Sequence, residues 1–532
     1  MSGVQRVLVA DPVSPLGVEL LQAAPGLEVE VRTGLPHHEL LELADRYDAI
    51  IVRSQTKITA DVLARATRLR AVGRAGVGVD NIDLAAATQH GVVVMNTPGG
   101  NTVSTAEHAF SMMMALARRI PQAHASMAAG RWERKQFEGV ELHGKTLAVL
   151  GMGRIGTEFA RRAMAFGMRV VAYDPYLASS RARLLRVELV DELEVALAAA
   201  DFVSLHMPLS KDTRHILSGE RLMRLKPGVR VINCARGGLV DEAGLVRALD
   251  AGVVAGAALD VFETEPPAAD SPLLGREDVV LTPHLGASTR EAQESVGIEI
   301  ARSILKHLTD GAVINGVNAP SIDEKTVAQI GKYLQFAEKL GLLVAQLAPA
   351  RPRTLRVDYS GKVSELETTL ITRSALKGYL SHTCDAGAVN HINAQSFADT
   401  QGLQVTESRL PSPTEFTDLI EVTVKGEHES AQVAGTFFGN SPRVVRINDH
   451  RVEANPQGHL LILNHSDTPG QVGQVGTLLG RRRINIANMS VSRNTVGEKA
   501  VTVLDLDSPP GEQVLEELTG IEGIDMARAI RL

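Results

Sequence analysis

The feature that most constrains the fold of this chain is the glycine-rich segment Gly151-Met-Gly-Arg-Ile-Gly156, which directly follows the apolar run of residues 146–150. The first glycine allows a sharp turn out of a strand, the second lets the backbone approach a pyrophosphate, and the third lets the next helix pack closely on the sheet. The N-terminus of that helix is suited to hold phosphates. The pattern therefore predicts a dinucleotide-binding turn between a strand and a helix.

The residues after this turn support the same prediction, because they complete a strand-helix-strand unit. The stretch after Gly156 has helical periodicity, and residues 168–173 form a second apolar strand that ends at Asp174. A carboxylate there can accept from the adenosine ribose hydroxyl, and it would repel the extra phosphate of NADP. Asp174 could also be an ordinary turn residue before Pro175. We interpret the unit as an NAD site.

Length, charge and cysteine content limit the class of protein. A chain of 532 residues predicts three or four domains, and a net charge of −7 offers no basic face for nucleic acid. The N-terminal segment lacks the apolar run of a signal sequence, and no stretch approaches the roughly 20 apolar residues of a membrane span. Cys234 and Cys384 cannot make a disulfide framework. We expect a cytoplasmic protein without a membrane or nucleic-acid partner.

Strands and helices alternate through the first 315 residues, which predicts two Rossmann-like parallel-sheet domains of the α/β class. The first has short apolar strands but no phosphate-binding glycines; its strands are expected at 6–10, 48–52, 69–73 and 91–95. A helix from Ser104 to about Arg119 precedes the nucleotide unit, whose later strands are expected at 202–206, 229–233, 256–260 and 279–282. We assign residues 1–97 and 288–315 to a substrate-binding domain and residues 98–287 to an NAD-binding domain.

The remaining chain divides at a change of composition near Asn315 and again near residue 455. Residues 316–455 show mixed helix and strand without a catalytic signature, and predict an α+β intervening domain. Residues 459–532 are compact, with a strand, a turn at residues 467–470, a helix, two strands and a second helix.

Three polar residues follow predicted strands of the nucleotide domain: Arg236, Glu265 and His284. Hydride transfer from an alcohol requires a base that titrates near neutral pH, which suits histidine. A neighbouring carboxylate favours the imidazolium, and an arginine can hold a substrate carboxylate. Each residue alone could be an ordinary loop or turn residue, but their shared location at strand ends predicts a site for a 2-hydroxy acid. Cys234 could act as a nucleophile; without an assigned base we interpret it as structural.

Several blocks in this order resemble the D-isomer-specific 2-hydroxyacid dehydrogenases, in their long phosphoglycerate-oxidising form; they are residues 73–81, 95–98, 151–156, 233–238, 257–262 and 283–289. The resemblance implies NAD-dependent oxidation of 3-phospho-D-glycerate to 3-phosphohydroxypyruvate, the first step of L-serine biosynthesis. It implies that Arg236 and Glu265 are catalytic and that His284 transfers the proton. The implied cofactor contacts are Gly151, Gly153, Arg154, Ile155, Gly156, Asp174, Cys234, Ala235, Arg236 and Asp260.

A phosphorylated substrate needs cations beyond the arginine that holds its carboxylate. Arg53 follows a predicted strand and is the best candidate, with Arg74 and Arg134 behind it. By resemblance to similar enzymes, the segment 132–135 is expected to reach a neighbouring subunit's site; the alternative is a solvated basic turn, above all at Lys135. Gly76 and Val77 offer backbone donors to the substrate. Val77 departs from relatives that carry a hydroxyl residue there.

The C-terminal segment resembles an ACT domain, a ferredoxin-like βαββαβ module that binds amino acids. Asp467 and Asn485 have the chemistry to clamp an ammonium and a carboxylate between paired modules, with His465 beside them. The resemblance implies L-serine as the effector and a dimer or tetramer as the assembly. A tail that only dimerises is the alternative.

Two further groups have weaker interpretations. Arg443, Arg446 and Arg451 could form an anion site in the intervening domain or simply a charged face. His382, Cys384 and His391 lack a fourth ligand and match no zinc pattern, so we predict no metal.

Two other functions fit the same scaffold. One is another D-2-hydroxyacid dehydrogenase, using 2-hydroxyglutarate or glyoxylate. The other is an NAD-sensing corepressor, against which the intact Arg236, Glu265 and His284 argue.

Overall fold

The computed structural model describes residues 4–322, 324–384, 389–410, 415–493, 495 and 497–532. Its first sheet is parallel, with strand order β2-β1-β3-β4-β5. The strands are β1 (Gln5–Val9), β2 (Leu27–Val31), β3 (Ala49–Val52), β4 (Ala71–Arg74) and β5 (Val93–Met95). Four helices connect them: α1 (Pro15–Gln22), α2 (His37–Leu43), α3 (Ala60–Arg65) and α4 (Leu84–Gln89). The central strand β3 is fully buried, and so are residues 7–9 of β1 and 71–73 of β4, as apolar strands of a parallel sheet covered on both faces should be.

The second sheet is also parallel, with strand order β12-β11-β10-β9-β6-β7-β8. Helices α5 (Thr102–Arg118) and α6 (Ile120–Ala128) lead into it. Its elements, in chain order, are β6 (Thr146–Leu150), α7 (Arg154–Ala165), β7 (Arg169–Tyr173), α8 (Ser179–Leu185), β8 (Glu188–Val190), α9 (Leu193–Ala198), β9 (Phe202–Leu205), α10 (Gly219–Met223), β10 (Val229–Asn233), α11 (Glu242–Asp250), β11 (Val254–Leu259) and β12 (Val279–Leu281). Parallel pairing brings the carboxyl ends of β10, β11 and β12 to one edge.

After β12 the chain returns to the first sheet through the long helix α12 (Arg290–Asp310). Ile300 and Ile304 on this helix are fully buried in the core beside β1 and β4. Helix α12 crosses α1 at two facing glycines. A Cβ on Gly17 would lie 2.5 Å from the carbonyl oxygen of Gly297, so the two backbones touch only because neither residue has a side chain.

The third sheet is mixed, with strand order β14-β13-β15-β16-β17-β18. Its elements are α13 (Glu324–Ala345), β13 (Thr354–Gly361), α14 (Thr369–Thr383), α15 (Ala394–Thr400), β14 (Gln404–Leu410), β15 (Asp418–Lys425), β16 (Ser430–Phe438), β17 (Ser441–Ile447) and β18 (His450–Ala454). The fourth sheet, with strand order β20-β21-β19-β22, belongs to a βαββαβ unit. Its elements are β19 (His459–Ser466), α16 (Gln471–Arg481), β20 (Ile486–Arg493), β21 (Lys499–Leu506), α17 (Glu512–Thr519) and β22 (Ile524–Arg531).

These last two sheets share a hydrophobic core. Leu460 and Ile462 on one face of β19 join the core that also contains Leu340 of α13. Leu461 and Leu463, on the opposite face, pack against α16 and α17. Successive side chains of a strand point to opposite faces, so β19 contributes apolar residues to a core on each face of the fourth sheet.

The predicted fold class is confirmed: two parallel Rossmann-like sheets precede a mixed α+β unit and a ferredoxin-like module. In the part of the chain that the structure describes, no helix is both long and apolar enough to cross a membrane. Cys234 and Cys384 are both free thiols.

The close contact between α1 and α12 at these glycines leads to a prediction about stability. Substitution Gly17→Ala should lower the free energy of unfolding by about 1–3 kcal/mol, because the new methyl group forces the two helices apart. Gly331→Ala is the control, since a Cβ there meets nothing within 4 Å and alanine favours the helix α13. Urea unfolding of both variants measures the difference. Equal stability of Gly17→Ala and the unchanged protein would contradict the close packing.

Candidate active site

The centre of the candidate site is a hydrogen-bonded pair between a histidine and a glutamate. Nδ1 of His284 lies 2.7 Å from Oε2 of Glu265. His284 follows β12 and Glu265 follows β11, which are neighbours in the second sheet. A carboxylate only accepts hydrogen bonds, so Nδ1 carries the proton and Nε2 is left free as a base. Half of the His284 side chain is exposed (51%), which leaves it accessible to a substrate.

The Glu265 carboxylate is held in its charged form. Its partial burial opposes ionisation, but hydrogen bonds from His284 and from the backbone N–H of Phe262 outweigh burial and lower the pKa of Glu265. The carboxylate therefore stays negative at neutral pH and can stabilise the imidazolium that forms when Nε2 takes a proton.

Arg236 follows β10, the next strand in the sheet, so the three predicted catalytic residues occupy three consecutive strand ends. Its Nε donates to Oδ2 of Asp80 at 3.1 Å, and another nitrogen donates to the carbonyl oxygen of Ala235 at 2.6 Å. Asp80 belongs to the loop after β4 of the first sheet, so this ion pair crosses the cleft between the two parallel sheets. A Cβ on Gly78 would lie 1.9 Å from a guanidinium nitrogen of Arg236, so the backbone of this loop passes close to the arginine side chain.

Arg74 lies close to Arg236, and Arg53 lies beside Arg74. Nε of Arg74 donates to the carbonyl oxygen of Arg53 at 3.1 Å. Burial, together with the positive charges of Arg236 and Arg53, lowers the pKa of Arg74 to about 10. At neutral pH this group is still charged, and its electrostatic environment favours an added anion.

Backbone contacts fix the loop that carries Gly76 and Val77. The carbonyl oxygen of Gly76 accepts from Thr97 N–H at 3.0 Å. The carbonyl oxygen of Val77 accepts from the side-chain amide of Asn96 at 2.6 Å. Asp11, which is fully buried, accepts from Arg53 N–H at 2.7 Å and orders the neighbouring loop.

The glycine turn has the shape that a dinucleotide requires. Gly151 has a positive φ of 95°, and a Cβ on Gly156 would lie 2.0 Å from the carbonyl oxygen of Gly151. At Gly153 a Cβ would meet nothing within 4 Å, so this side is open to phosphates. Arg154 and Ile155 form the first residues of α7. The residues therefore fit the cofactor.

Asp174 also contacts the turn directly. Its Oδ2 accepts from Met152 N–H at 2.8 Å and its Oδ1 accepts from Tyr176 N–H at 2.9 Å. Each oxygen keeps a lone pair for a ribose hydroxyl. The carboxylate therefore supports the turn as well as the predicted ribose contact.

Cys234 and Ala235 lie in the loop after β10, beside Asp260. Cys234 is buried, and both that burial and the nearby Asp260 charge raise the pKa of its thiol. Asp260 is fully buried and its oxygens accept from Thr282, Leu285 and Gly286. A thiol kept protonated in this way fits a structural role and not a nucleophilic one.

Arg134 is placed differently from the other predicted substrate residues. It begins a short 3-10 helix, Arg134–Phe137, and it is exposed. The hydrogen bonds described for residues 131–137 join them to Ser126 of α6 and to Arg119, which lies between α5 and α6, and not to the strand ends of the site. Trp132 in the same segment is 79% exposed.

Within one chain the three predicted effector residues do not form one cluster. Asp467 follows the C-terminal end of β19, where it accepts from Arg493 at 2.7 Å. His465 is buried nearby and lies 2.7 Å from the hydroxyl of Thr502. Asn485 precedes β20, and the register aligns that end of β20 with the start of β19. Asp467 and Asn485 are therefore separated by about 26 Å along the sheet.

The other predicted clusters are already paired. Arg443, Arg446 and Arg451 each face a glutamate, namely Glu453, Glu421 and Glu415. His382, Cys384 and His391 do not form a metal-sized group. Within the described ranges, the group that does consists of His108, Cys234 and Asp260, whose ligand atoms lie within 4.8 Å of one another. The Asp260 oxygens in that group are already occupied by protein donors.

Two residues of the site were not identified from the sequence. Asp80 lies in the motif at residues 73–81, but its contact with Arg236 spans 156 positions. His108 lies on the buried face of α5, in step with Thr105 and Met112. A histidine at a position of the helical pattern that is otherwise buried was the feature of the sequence that could have identified it.

Three family models match the chain. They are the D-isomer specific 2-hydroxyacid dehydrogenase NAD-binding domain at residues 110–286, the D-3-phosphoglycerate dehydrogenase intervening domain at 329–448, and the ACT domain at 459–523. The fold and site thus define the class of D-isomer-specific 2-hydroxyacid dehydrogenases, which are NAD-binding oxidoreductases.

Relatives that match this chain over its full length identify the family within this class. The chain is 45% identical to D-3-phosphoglycerate dehydrogenase of Archaeoglobus fulgidus, over 99% of this chain and 100% of that protein. It is 41% identical to the protein of that name from Bacillus subtilis, over 99% of both chains. The chain belongs to the D-3-phosphoglycerate dehydrogenase family.

Solved structures match about three fifths of this chain. The TT0316 protein of Thermus thermophilus is 38% identical, with a TM-score of 0.55 over 59% of this chain and 100% of that one. D-Lactate dehydrogenase from Aquifex aeolicus, solved with NAD and lactic acid, is 29% identical, with a TM-score of 0.52 over 60% of this chain and 100% of that one.

The histidine-glutamate pair makes a kinetic prediction. Glu265→Gln should lower kcat by about 100-fold while KM changes little, because a neutral amide cannot stabilise the charged imidazole. Glu263→Gln, in the same loop, is the control and should keep kcat. Steady-state rates of NADH formation measure both. A wild-type kcat in Glu265→Gln would exclude the proposed role of this carboxylate.

Proposed function

We propose that this protein oxidises 3-phospho-D-glycerate to 3-phosphohydroxypyruvate with NAD, the first step of L-serine biosynthesis. The observation that carries the proposal is the hydrogen-bonded pair of His284 and Glu265 on the same sheet edge as Arg236. An acid-base pair beside a guanidinium is the arrangement that a 2-hydroxy acid requires.

The protein's groups have separate tasks in this reaction. When bound, NAD accepts the hydride that leaves C2 of the substrate. Nε2 of His284 takes the hydroxyl proton, so that the C–O bond becomes a carbonyl as the C–H bond breaks. Glu265 fixes the ring through Nδ1 and stabilises the imidazolium that results. Arg236 holds the substrate carboxylate.

Charge matching supports a phosphorylated substrate. The substrate carries a carboxylate and a phosphate, and Arg53, Arg74 and Arg236 interact electrostatically at the cleft. Two of these arginines belong to the first sheet and one to the second. We propose that Arg53 and Arg74 bind the phosphate, helped by the backbone at Gly76 and Val77, while Arg236 binds the other end.

NAD is the cofactor, and the residues proposed to hold it are those of the glycine turn, Asp174, and the loop from Cys234 to Arg236 with Asp260. Asp174 disfavours the extra phosphate of NADP. Cofactor preference is tested by comparing kcat/KM for the two nucleotides. We also propose a cytoplasmic location, where the free thiols Cys234 and Cys384 remain reduced.

An absorbance assay for NADH distinguishes this function from its alternatives. The expected result is turnover with 3-phospho-D-glycerate that exceeds turnover with D-lactate, D-glycerate and 2-hydroxyglutarate. A preference for an unphosphorylated acid would identify another D-2-hydroxyacid dehydrogenase. NAD binding without turnover of any acid would identify a sensor.

The phosphate assignment makes its own prediction. Arg53→Ala should lower kcat/KM for 3-phospho-D-glycerate by about 100-fold, since an ion-paired phosphate contact contributes on the order of 2–3 kcal/mol. Rates with unphosphorylated 2-hydroxy acids should stay the same. Arg65→Ala, an exposed arginine at the end of α3, is the matched control. Equal losses with both kinds of substrate would show that Arg53 supports folding and not phosphate recognition.

We further propose that the ACT domain binds L-serine between two copies of the module. Asp467 and Asn485 lie at opposite sheet ends in one chain, so a site that uses both requires a second module and at least a dimer. His465 supports the Asp467 end of the strand. Arg134 and Trp132, exposed on the nucleotide domain, are proposed to reach a neighbouring subunit in the same assembly.

Serine regulation is tested with a variant that spares the catalytic site. Asp467→Ala should raise the serine concentration for half-inhibition at least about tenfold, because it removes a carboxylate that pairs with the ammonium. Activity without serine should not change. Asp525→Ala, on the neighbouring strand β22, is the control. If serine does not inhibit the wild-type enzyme, the assignment of L-serine as effector is wrong. If serine inhibits Asp467→Ala as strongly as wild type, the assignment of Asp467 to the serine site is wrong.

A further inference from the structure

His108 on α5 contacts the support of the catalytic loop, although the proposed reaction gives it no task. Its Nε2 lies 3.2 Å from Oδ1 of Asp260 and 3.1 Å from the hydroxyl oxygen of Thr282. Asp260 is fully buried, and a buried carboxylate requires donors that compensate for the loss of water. His108 is the imidazole that contributes to this compensation.

Asp260 in turn holds the residues on either side of His284. It accepts from the Thr282 hydroxyl at 2.6 Å and from the backbone N–H of Leu285 and Gly286 at 2.7 and 2.9 Å. His284 between them has a φ of 56°, a left-handed conformation that is unfavourable for a residue with a side chain. Such a conformation persists where surrounding contacts impose it. The Asp260 bonds are contacts of this kind.

Helix α5 reaches the same loop at a second point. The Thr105 hydroxyl, one turn before His108, donates to the carbonyl oxygen of Gly286 at 3.1 Å. A Cβ on Gly286 would lie 3.2 Å from the Thr105 methyl carbon, so helix and loop are in close contact. One face of α5 thus contacts the loop directly through the Gly286 carbonyl and indirectly through the Asp260 carboxylate.

We propose that His108 is a positioning residue for the reaction: by donating from Nε2 to Asp260, it fixes the 282–286 loop and so holds the His284 imidazole against Glu265. Its effect passes through Asp260, and His108 itself touches neither substrate nor the reacting atoms. The inference rests on the proposed dehydrogenase function. Glu265 contacts His284 directly, Asp260 binds the residues next to His284, and His108 in turn contacts Asp260.

The test compares two substitutions of similar size. His108→Phe keeps a ring but has no donor, and should lower kcat about tenfold or more while KM for 3-phospho-D-glycerate changes less than about threefold, since Arg53 and Arg74 lie in the other sheet unit. His108→Gln retains an N–H donor and should recover most of the rate. His124→Phe, a histidine on α6 away from the catalytic loop, is the control and should keep wild-type kcat.

A second measurement needs no turnover. Hydrogen exchange of a peptide spanning residues 282–287, in protein without added ligand, should be about tenfold faster in His108→Phe than in wild type or His108→Gln. In an Asp260→Asn background, His108→Phe should cause little additional loss of kcat, because the two residues act in series.

The outcomes separate this proposal from the proposed function. If wild type does not oxidise the phosphorylated acid, the dehydrogenase assignment fails, whereas loop exchange still tests the contact. If wild type is active and His108→Phe matches it in kcat and exchange, the positioning role is wrong. Additive losses in the double variant, or equal loss in His108→Gln and His108→Phe, would likewise overturn it.

Discussion

The 2.7 Å contact between His284 and Glu265 is the interaction on which the site depends. It exists because β11 and β12 are parallel neighbours, so the residues that follow them leave the sheet at the same edge. The charge of Glu265 then fixes which imidazole nitrogen carries the proton. Arg236, after β10, extends the same edge. Sheet order thus turns three distant sequence positions into one acid-base and anion-binding group.

The cleft between the two parallel sheets brings together charged groups from both sheets. Arg53 follows β3 and Arg74 ends β4 in the first sheet, and Asp80 reaches across to Arg236 beside the second sheet. Burial and neighbouring like charges cost free energy that a bound anion can recover, and the lowered pKa of Arg74 reflects first its burial and then the charges of Arg236 and Arg53. A substrate with two anionic groups would bridge both sides of the cleft.

Sequence patterns predicted the regular parts of the fold closely. The strands at 146–150 and 229–233 were predicted with the observed bounds, and the helix before the nucleotide unit begins at Thr102 in place of Ser104. Strands β2 and β8 were missed; both lie at a sheet edge and are partly exposed, so they lack a strong apolar signal. Catalytic residue types at strand ends were recognisable because parallel strands place their carboxyl ends together.

The sequence by itself determined the features that arise from local chemistry: the glycine turn at 151–156, the apolar strands, and the acid, base and guanidinium that follow them. Only the tertiary structure decided which distant groups meet. His108 meets Asp260 because α5 packs over the catalytic loop, and Asp467 is separated from Asn485 because strand register sets them at opposite ends. Turn and strand preferences act over a few residues, whereas pairing register and helix packing depend on the whole chain.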